Sequence, residues 1–318
     1  MAAIRTGVVG VGHLGYHHAR LYAALPDAEL VGVVDPDEAR RTRAADDFTV
    51  PGFSDVHALI ELGVDAVSVA TPTTTHHDAA IALLQNGIHV LVEKPIAATV
   101  SEAETMAAVA RAHDVILQVG HVERFNGAVL ALFDAIKRPR FIECHRLSAY
   151  PKRSTDISVV LDLMIHDLDI VLALAGPEAT LLDAVGVPVF SDQEDIANVR
   201  LRFASGCVAN LTSSRVSVEP MRKIRIFEEN AYVSTNYTDQ EVIVYRKRPG
   251  PVPPDANPME HISIEPLPVK REEPLRLELA SFIECARSHA RPVVSADDGI
   301  RVLRLAQEIV ETIRKQRL

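Results

Sequence analysis

An apolar, strand-like run from Ile4 to Val11 ends inside the turn Gly10-Val11-Gly12-His13-Leu14-Gly15, and a helical pattern, His13–Leu25, leads out of it. Strand, glycine turn and helix in that order leave few options. The glycines let the backbone pass close to a bulky anion, and the helix start presents N–H groups toward it. A pyrophosphate is the anion such a turn fits, so Gly10, Gly12, His13, Leu14 and Gly15 are read as cofactor contacts. Asp35 ends the next apolar run, Leu30–Val34, where a carboxylate accepts from ribose hydroxyls. A carboxylate there repels a 2′-phosphate, which selects NAD over NADP. Arg40, a turn into the following helix, softens that preference if it reaches the cofactor, and is otherwise a solvated helix-face charge. The alternative to the whole reading is a glycine-rich turn with no ligand.

The rhythm continues through the first third. Short, mostly valine-rich runs at Ala66–Ala70, Val90–Val92 and Val115–Val119 alternate with helical patterns at Asp37–Asp46, His76–Gln85 and Ser101–His113. Such alternation specifies a parallel sheet covered by helices, an α/β Rossmann-type dinucleotide-binding domain over residues 1–120. After Gly120 the pattern changes. Phe141–Leu147, Ala184–Phe190, Ala197–Phe203, Cys207–Thr212, Lys223–Phe227, Tyr232–Thr235 and Glu241–Tyr245 read as successive strands, and Ala197–Phe203 alternates apolar with polar at a period of two. Residues 121–318 are therefore expected to form an α+β domain with a large, mostly antiparallel open sheet. Its closing helices, Leu275–Ser288 and Ala296–Arg314, are free to pack back on the first domain.

Composition narrows the function. The 318 residues carry a formal net charge of -10, which disfavours nucleic acid as a main partner. No apolar run is long enough to span a bilayer, and no signal peptide is expected ahead of the first strand. Cys144, Cys207 and Cys285 stand far apart, with no metal spacing, as in a reduced cytoplasm. A cytoplasmic protein without a metal centre is expected.

Three further segments carry candidate chemistry. The loop Ala70–His76 leaves the end of a strand, where open α/β sheets bind ligands, so Thr71, Pro72, Thr73 and His76 are placed near the nicotinamide. Thr75 is a helix cap, and His76 reads equally well as a surface histidine. The loop LVEKPIAAT, residues 91–99, sets Glu93 and Lys94 directly after a buried strand, and Pro95 forces a tight exit and permits a cis bond. Most demanding is VLDLMIHDLDIVLALAG, Val160–Gly176, an apolar helix holding Asp162, His166, Asp167 and Asp169. With α-helical spacing, Ser158, Asp162, His166 and Asp169 share one stripe, and a polar stripe on a buried helix must face partners, water or a ligand. A purely structural network is one alternative. A metal site of Asp162, His166 and Asp169 is another, without a further histidine or cysteine at supporting spacing. Asp167 lies off the stripe and reads as structural. Arg124 and Asn126, in the bridging stretch Gln118–Val129, either contact cofactor or substrate oxygens or brace the two domains. Lys152 and Arg153 either hold a substrate anion or form a solvated basic loop.

Glu93-Lys94-Pro95 followed by Asp162-Leu163-Met164-Ile165-His166, behind the glycine turn, resembles the glucose–fructose oxidoreductase, inositol dehydrogenase and MocA-like (Gfo/Idh/MocA) family, over essentially the whole chain. The resemblance implies an NAD-dependent dehydrogenase acting on a carbohydrate hydroxyl, with Lys94, Asp162 and His166 catalytic and also in contact with substrate. In that scheme His166 takes the hydroxyl proton, Asp162 orients the imidazole, and Lys94 donates to the reacting oxygen. Which of Lys94 and His166 accepts the proton stays open. Glu93 and Lys94 are carried over as cofactor neighbours. The resemblance also implies a homodimer or homotetramer built on the outer face of the sheet. GHVERFN, IECHRL, STDISVVLDLMIHDLDI and RKIRIF resemble the nucleotide-sugar dehydrogenases of the family. They imply oxidation of UDP-N-acetylglucosamine at C3, with an aminotransferase as a pathway partner. Gly127 departs from that pattern, which has proline there. Oxidation of myo-inositol or another free polyol is the alternative. A non-catalytic NAD(H)-sensing protein is the alternative of another class; its mark would be a damaged lysine or histidine, and both are intact.

Overall fold

The computed structural model describes residues 2–150, 157–251, 255 and 257–316. The chain divides into two compact units. One runs to Val122 and includes Glu273–Leu303; the other holds Glu123–Glu272 and the chain from Arg304 onward.

The first unit contains β1 (Ile4–Val9), α1 (His13–Tyr22), β2 (Ala28–Val34), α2 (Glu38–Phe48), β3 (Gly52–Phe53), α3 (His57–Leu62), β4 (Ala66–Val69), α4 (His76–Leu84), β5 (His89–Glu93), α5 (Val100–Ala112) and β6 (Leu117–Gly120). Its sheet has the order β3-β2-β1-β4-β5-β6, and every neighbouring pair is parallel. All four residues of β4 and of β6 are buried, as strands covered on both faces must be. The order reverses between β1 and β4, which opens a crevice beyond Val9 and Val69. β3 and α3 were not expected. Two and six residues long, they carry no measurable period.

The second unit contains α6 (Gly127–Ala135), β7 (Phe141–Leu147), α7 (Ile165–Ala175), β8 (Ala179–Val187), β9 (Ile196–Phe203), β10 (Val208–Ser214), β11 (Met221–Phe227), β12 (Ala231–Asn236), β13 (Glu241–Lys247) and β14 (Ile262–Pro266). They form an eight-stranded sheet in the order β14-β13-β12-β11-β7-β10-β9-β8, antiparallel except where β7 meets β10. The alternation read in Ala197–Phe203 is the burial pattern of β9, with Ala197, Val199, Leu201 and Phe203 inward. α6 was not expected; it begins at Gly127, near the end of the bridging stretch. A Cβ there would stand 2.2 Å from the Lys270 carbonyl oxygen, which explains a glycine where proline was expected. Of the two closing helices, α8 (Pro274–Ser288) belongs to the first unit, and α9 (Ala296–Gln316) passes from one unit to the other after Leu303. α8 buries Leu279, Phe282 and Ile283 in one apolar cluster with Val8, Ala19, Leu21 and Tyr22.

One expected strand is displaced. Val189 and Phe190, read as strand, lie beyond the end of β8, because their N–H groups donate to Asp195 Oδ2 at 2.8 and 2.6 Å instead of to a neighbouring strand. Asp195 is fully buried, and its Oδ1 accepts from Arg215 Nε at 2.7 Å. Arg215, also fully buried, donates to the Ile157 carbonyl at 2.8 Å, while the Val159 N–H donates to the Glu194 carbonyl at 3.0 Å. This knot seats the chain that enters α7. Burial alone would raise the Asp195 pKa; the N–H groups of Phe190, Ser191 and Val189 with the Arg215 guanidinium outweigh it and hold the carboxyl far below its ordinary 3.8. A carboxyl lowered by folding stabilises the fold above its unfolded value, and that share is lost as pH falls through the folded value. Asp195→Asn should cost about 3 kcal/mol or more, since it takes the charge out of a buried carboxylate–guanidinium pair. Urea unfolding at pH 7 measures the loss. The same titration repeated toward pH 3 should show a shallower acid dependence in the variant than in the parent.

Candidate active site

Close packing shapes the turn between β1 and α1. Gly10 has φ +85°, and a Cβ there would stand 2.8 Å from the Ala70 carbonyl oxygen. A Cβ on Gly15 would stand 1.7 Å from the Gly10 carbonyl oxygen, so the helix can approach its own turn only as glycine. Gly12 occupies the N-cap of α1 with no side chain to satisfy the helix N–H groups, and a Cβ there would make only ordinary contact with Arg40 Nη1, at 3.9 Å. His13 and Leu14 are exposed on the first turn. An anion-ready helix start therefore borders a cleft of about 780 Å³ lined by Gly10, Gly12, Asp35, Arg40, Thr71 and Pro72. The Asp35 carboxylate sits at its edge, accepting from the N–H groups of Val11 and Asp37, each at 2.9 Å. These bonds fix its direction and leave lone pairs for a sugar hydroxyl. Arg40 stands 3.7 Å from Asp37, an exposed pair that offsets its charge. Turn, uncapped helix and oriented carboxylate together fit a dinucleotide.

The loops after β4 and β5 are fastened to each other. His76 is buried, with Nδ1 2.9 Å from the Pro95 carbonyl oxygen and Nε2 2.9 Å from the Thr71 carbonyl oxygen. Burial pushes its pKa below the ordinary imidazole value, against the two carbonyls and Glu93, which pull it up. The expected Thr75 cap is not made; the hydroxyl lies 2.9 Å from both the Thr71 hydroxyl and the Pro72 carbonyl. Thr73 opens the short 3-10 turn Thr73–Thr75. Lys94 is half-buried, and its peptide bond to Pro95 is cis. Glu93 is only 6% exposed: Oε1 lies 3.0 Å from His18 Nε2, and Oε2 accepts from the Lys94 N–H at 3.2 Å. It points into the protein, not into the cofactor cleft. His18 escaped the sequence reading. Its signal was an ionisable residue on the apolar face of α1, three beyond Gly15 and four before Tyr22.

In the second unit, the helix with four ionisable groups is not uniform. Val160–Met164 forms a π turn, and α7 begins only at Ile165. The wider π step alters the spacing assumed for a stripe from Ser158 to His166, and such turns collect at functional sites. Asp169 is fully buried and takes a two-pronged bond from Arg124, at 2.6 and 3.0 Å. Asp167 is buried and takes the same from Arg146, at 3.0 and 2.9 Å. Arg146 also donates to Glu123 at 3.0 Å. Burial would discharge Arg146, but the charge of Asp167 raises its pKa instead. Asp162 and His166 are the two that remain half-buried. Arg124, expected at the substrate, is directed to Asp169. Asn126 caps α6 through the Ala128 N–H at 3.0 Å and is 6% exposed. Lys152 and Arg153 lie outside the described residues. Among the described residues, no three His, Cys, Asp or Glu side chains are grouped to hold a metal.

The oriented Asp35 carboxylate should set cofactor choice. Asp35→Ser is expected to weaken the preference for NAD(H) over NADP(H). Calorimetry that found the parent protein favouring NADP(H) would remove this role.

Comparison with known proteins agrees with both units. The model of an oxidoreductase family with an NAD-binding Rossmann fold matches residues 4–121, and that of the GFO/IDH/MocA C-terminal domain matches residues 133–234. UDP-N-acetylglucosamine 3-dehydrogenase of Acidithiobacillus ferrooxidans is 36% identical over 310 residues, covering 97% of each chain. A solved structure of that enzyme matches with a TM-score of 0.91 over 99% of each chain. The scyllo-inositol 2-dehydrogenase (NAD(+)) of Bacillus subtilis is 29% identical over 319 residues, covering 93% of this chain and 90% of its own. With its glycine turn, Glu-Lys-Pro loop and Asp-x-x-x-His helix in place, the chain belongs to the Gfo/Idh/MocA family of NAD-binding oxidoreductases.

Proposed function

We propose that the chain oxidises the C3 hydroxyl of UDP-N-acetylglucosamine to a ketone. The full-length likeness to an enzyme named for that reaction supports the substrate. The observation that supports the chemistry is the split along the Val160–Ala175 segment: Asp167 and Asp169 are buried and locked to arginines, while Asp162 and His166 keep exposed surface. NAD, when bound, supplies the acceptor for the hydride that leaves C3. His166 takes the hydroxyl proton on its imidazole, the side chain most often used as a general base. Asp162, one turn earlier, orients that ring and stabilises its cation. Lys94 donates to the reacting oxygen and offsets the negative charge that develops there.

A ketone of this kind is consumed by amino transfer, so an aminotransferase is the expected pathway partner. We further place the protein in the cytoplasm, where its buried thiols Cys144, Cys207 and Cys285 stay reduced; cell fractionation checks the compartment. Copies are expected to associate through the outer face of the eight-stranded sheet. Phe141, Phe227, Tyr232 and Tyr245 form a cross-strand ladder there, with ring centroids 5.8, 4.8 and 5.1 Å apart. Light scattering on Tyr232→Glu should show dissociation; a parent protein that runs as a monomer would exclude this arrangement.

The functional test measures NADH formation from UDP-N-acetylglucosamine, free N-acetylglucosamine and myo-inositol, with an aminotransferase and amino donor present to draw off the ketone. Only the UDP-sugar should turn over well. Turnover of inositol alone would make the chain a polyol dehydrogenase, and NAD binding without turnover of any of them would favour a sensor. His166→Ala and Lys94→Ala should each slow turnover about 100-fold or more and leave NAD affinity intact. Asp162→Asn should be milder than His166→Ala. Full activity in His166→Ala would exclude its role as base.

A further inference from the structure

Glu93 is more tightly enclosed than a ligand-facing carboxylate needs to be. It ends β5, yet its side chain turns back into the unit and lies flat against Gly120 of β6. A Cβ on Gly120 would stand 2.8 Å from Oε1, 2.9 Å from Cδ and 3.1 Å from Oε2. The third wall is His18, fully buried on α1, whose Nε2 is 3.0 Å from Oε1. His18 Nδ1 is buried with no hydrogen-bond partner among the described residues. The His18 imidazole therefore spends its one hydrogen bond on Glu93, inside a slot that admits little water. The other carboxylate oxygen accepts from the Lys94 N–H at 3.2 Å. One residue further on, the Pro95 carbonyl is held by His76 at 2.9 Å. The main chain that carries Lys94 is thus gripped on both sides by buried histidine contacts, from α1 through Glu93 and from α4 directly.

We infer that His18, Glu93 and Gly120 form a positioning device for Lys94, in which a carboxylate seated in a glycine-walled slot fixes the main chain that aims the ammonium. None of the three need touch substrate. The inference rests on the proposed role of Lys94 at the reacting oxygen. Displacing a reacting group by about 1 Å costs on the order of 100-fold in rate, which is the scale on which such a device matters. It also explains why the slot is polar: an apolar residue at position 93 would pack against Gly120 but leave the Lys94 N–H without its acceptor.

The test compares Glu93→Ala, Glu93→Gln and Gly120→Ala with the parent. Lys94 is the sole lysine in the first unit, so its signal can be identified by its loss in Lys94→Arg. Lysines are tagged by reductive methylation with 13C formaldehyde, and the Lys94 methyl resonance is read by NMR without substrate. Its position should move in Glu93→Ala and in Gly120→Ala, where one methyl group evicts the carboxylate. It should stay in Glu93→Gln, whose carboxamide oxygen still accepts from the Lys94 N–H. On untagged protein, kcat should fall about 10- to 100-fold in the first two and recover to within about threefold in Glu93→Gln, with KM for NAD little changed. A Lys94 resonance identical in all of them would overturn the inference, as would a Glu93→Gln protein as impaired as Glu93→Ala. Because the NMR reading needs no turnover, it stands apart from any failure of the proposed reaction.

Discussion

A carboxylate taken out of water must be met by a cation or by N–H donors, or folding stops at the cost of its desolvation. Among the carboxylates this chain buries are Asp35, Glu93, Asp167, Asp169 and Asp195, and much of its local structure consists of the answers to these five. Asp35 is met by two backbone N–H groups, Glu93 by a histidine and one N–H, Asp167 and Asp169 each by an arginine fork, and Asp195 by an arginine and three N–H groups. In each case a loop or helix end is fixed as a consequence. The loop after β8 bends out of strand geometry to reach Asp195. The Lys94 loop takes its position from Glu93.

The same constraint divides the ionisable groups of the apolar helix into two sets. Two of its four ionisable groups are bound in planar, bidentate pairs that hold geometry better than a lysine would. Those pairs set the rotation of α7 about its axis. Rotation in turn decides that Asp162 and His166, and not Asp167 and Asp169, keep contact with the outside. The proposed roles of Asp162 and His166 need a helix that does not turn beneath them, and the Arg124 and Arg146 forks hold it against turning. Arg124 is therefore better understood as part of the frame than as a substrate contact.

Much of this was legible in the sequence, and the boundary is physical. Long periodic elements announced themselves: β9 by its strict alternation, α1 by the glycine turn before it, the Asp162–His166 helix by apolar length interrupted by charge. Elements too short to repeat did not, and β3, α3 and β14 went unread. α6 was hidden because it starts on Gly127, a poor helix former whose presence answers to the Lys270 carbonyl more than a hundred residues away in sequence. The π turn could not be foreseen, since the same residues fit an unbroken α-helix. Candidate site residues sorted themselves by partner. Asn126, an asparagine just before an apolar run, carried a local cap signal that was not read, whereas nothing local in the sequence says that Glu93 faces His18, because that depends on what tertiary packing brings alongside.

Glu93 and Lys94 show what this means for reading a motif. Adjacent in sequence, they leave the same strand end, and a motif scan treats them as one unit facing one ligand. Successive side chains of an extended chain point opposite ways. If one of the pair enters a cleft, the other must enter the protein, and an ionised group can do so only where a slot with donors awaits it. His18 and Gly120 supply that slot. The glutamate in this motif is thus constrained by the interior of the fold and the half-buried lysine by what lies on the other side of the strand end, and a substitution at either position would have to be judged against a different set of neighbours.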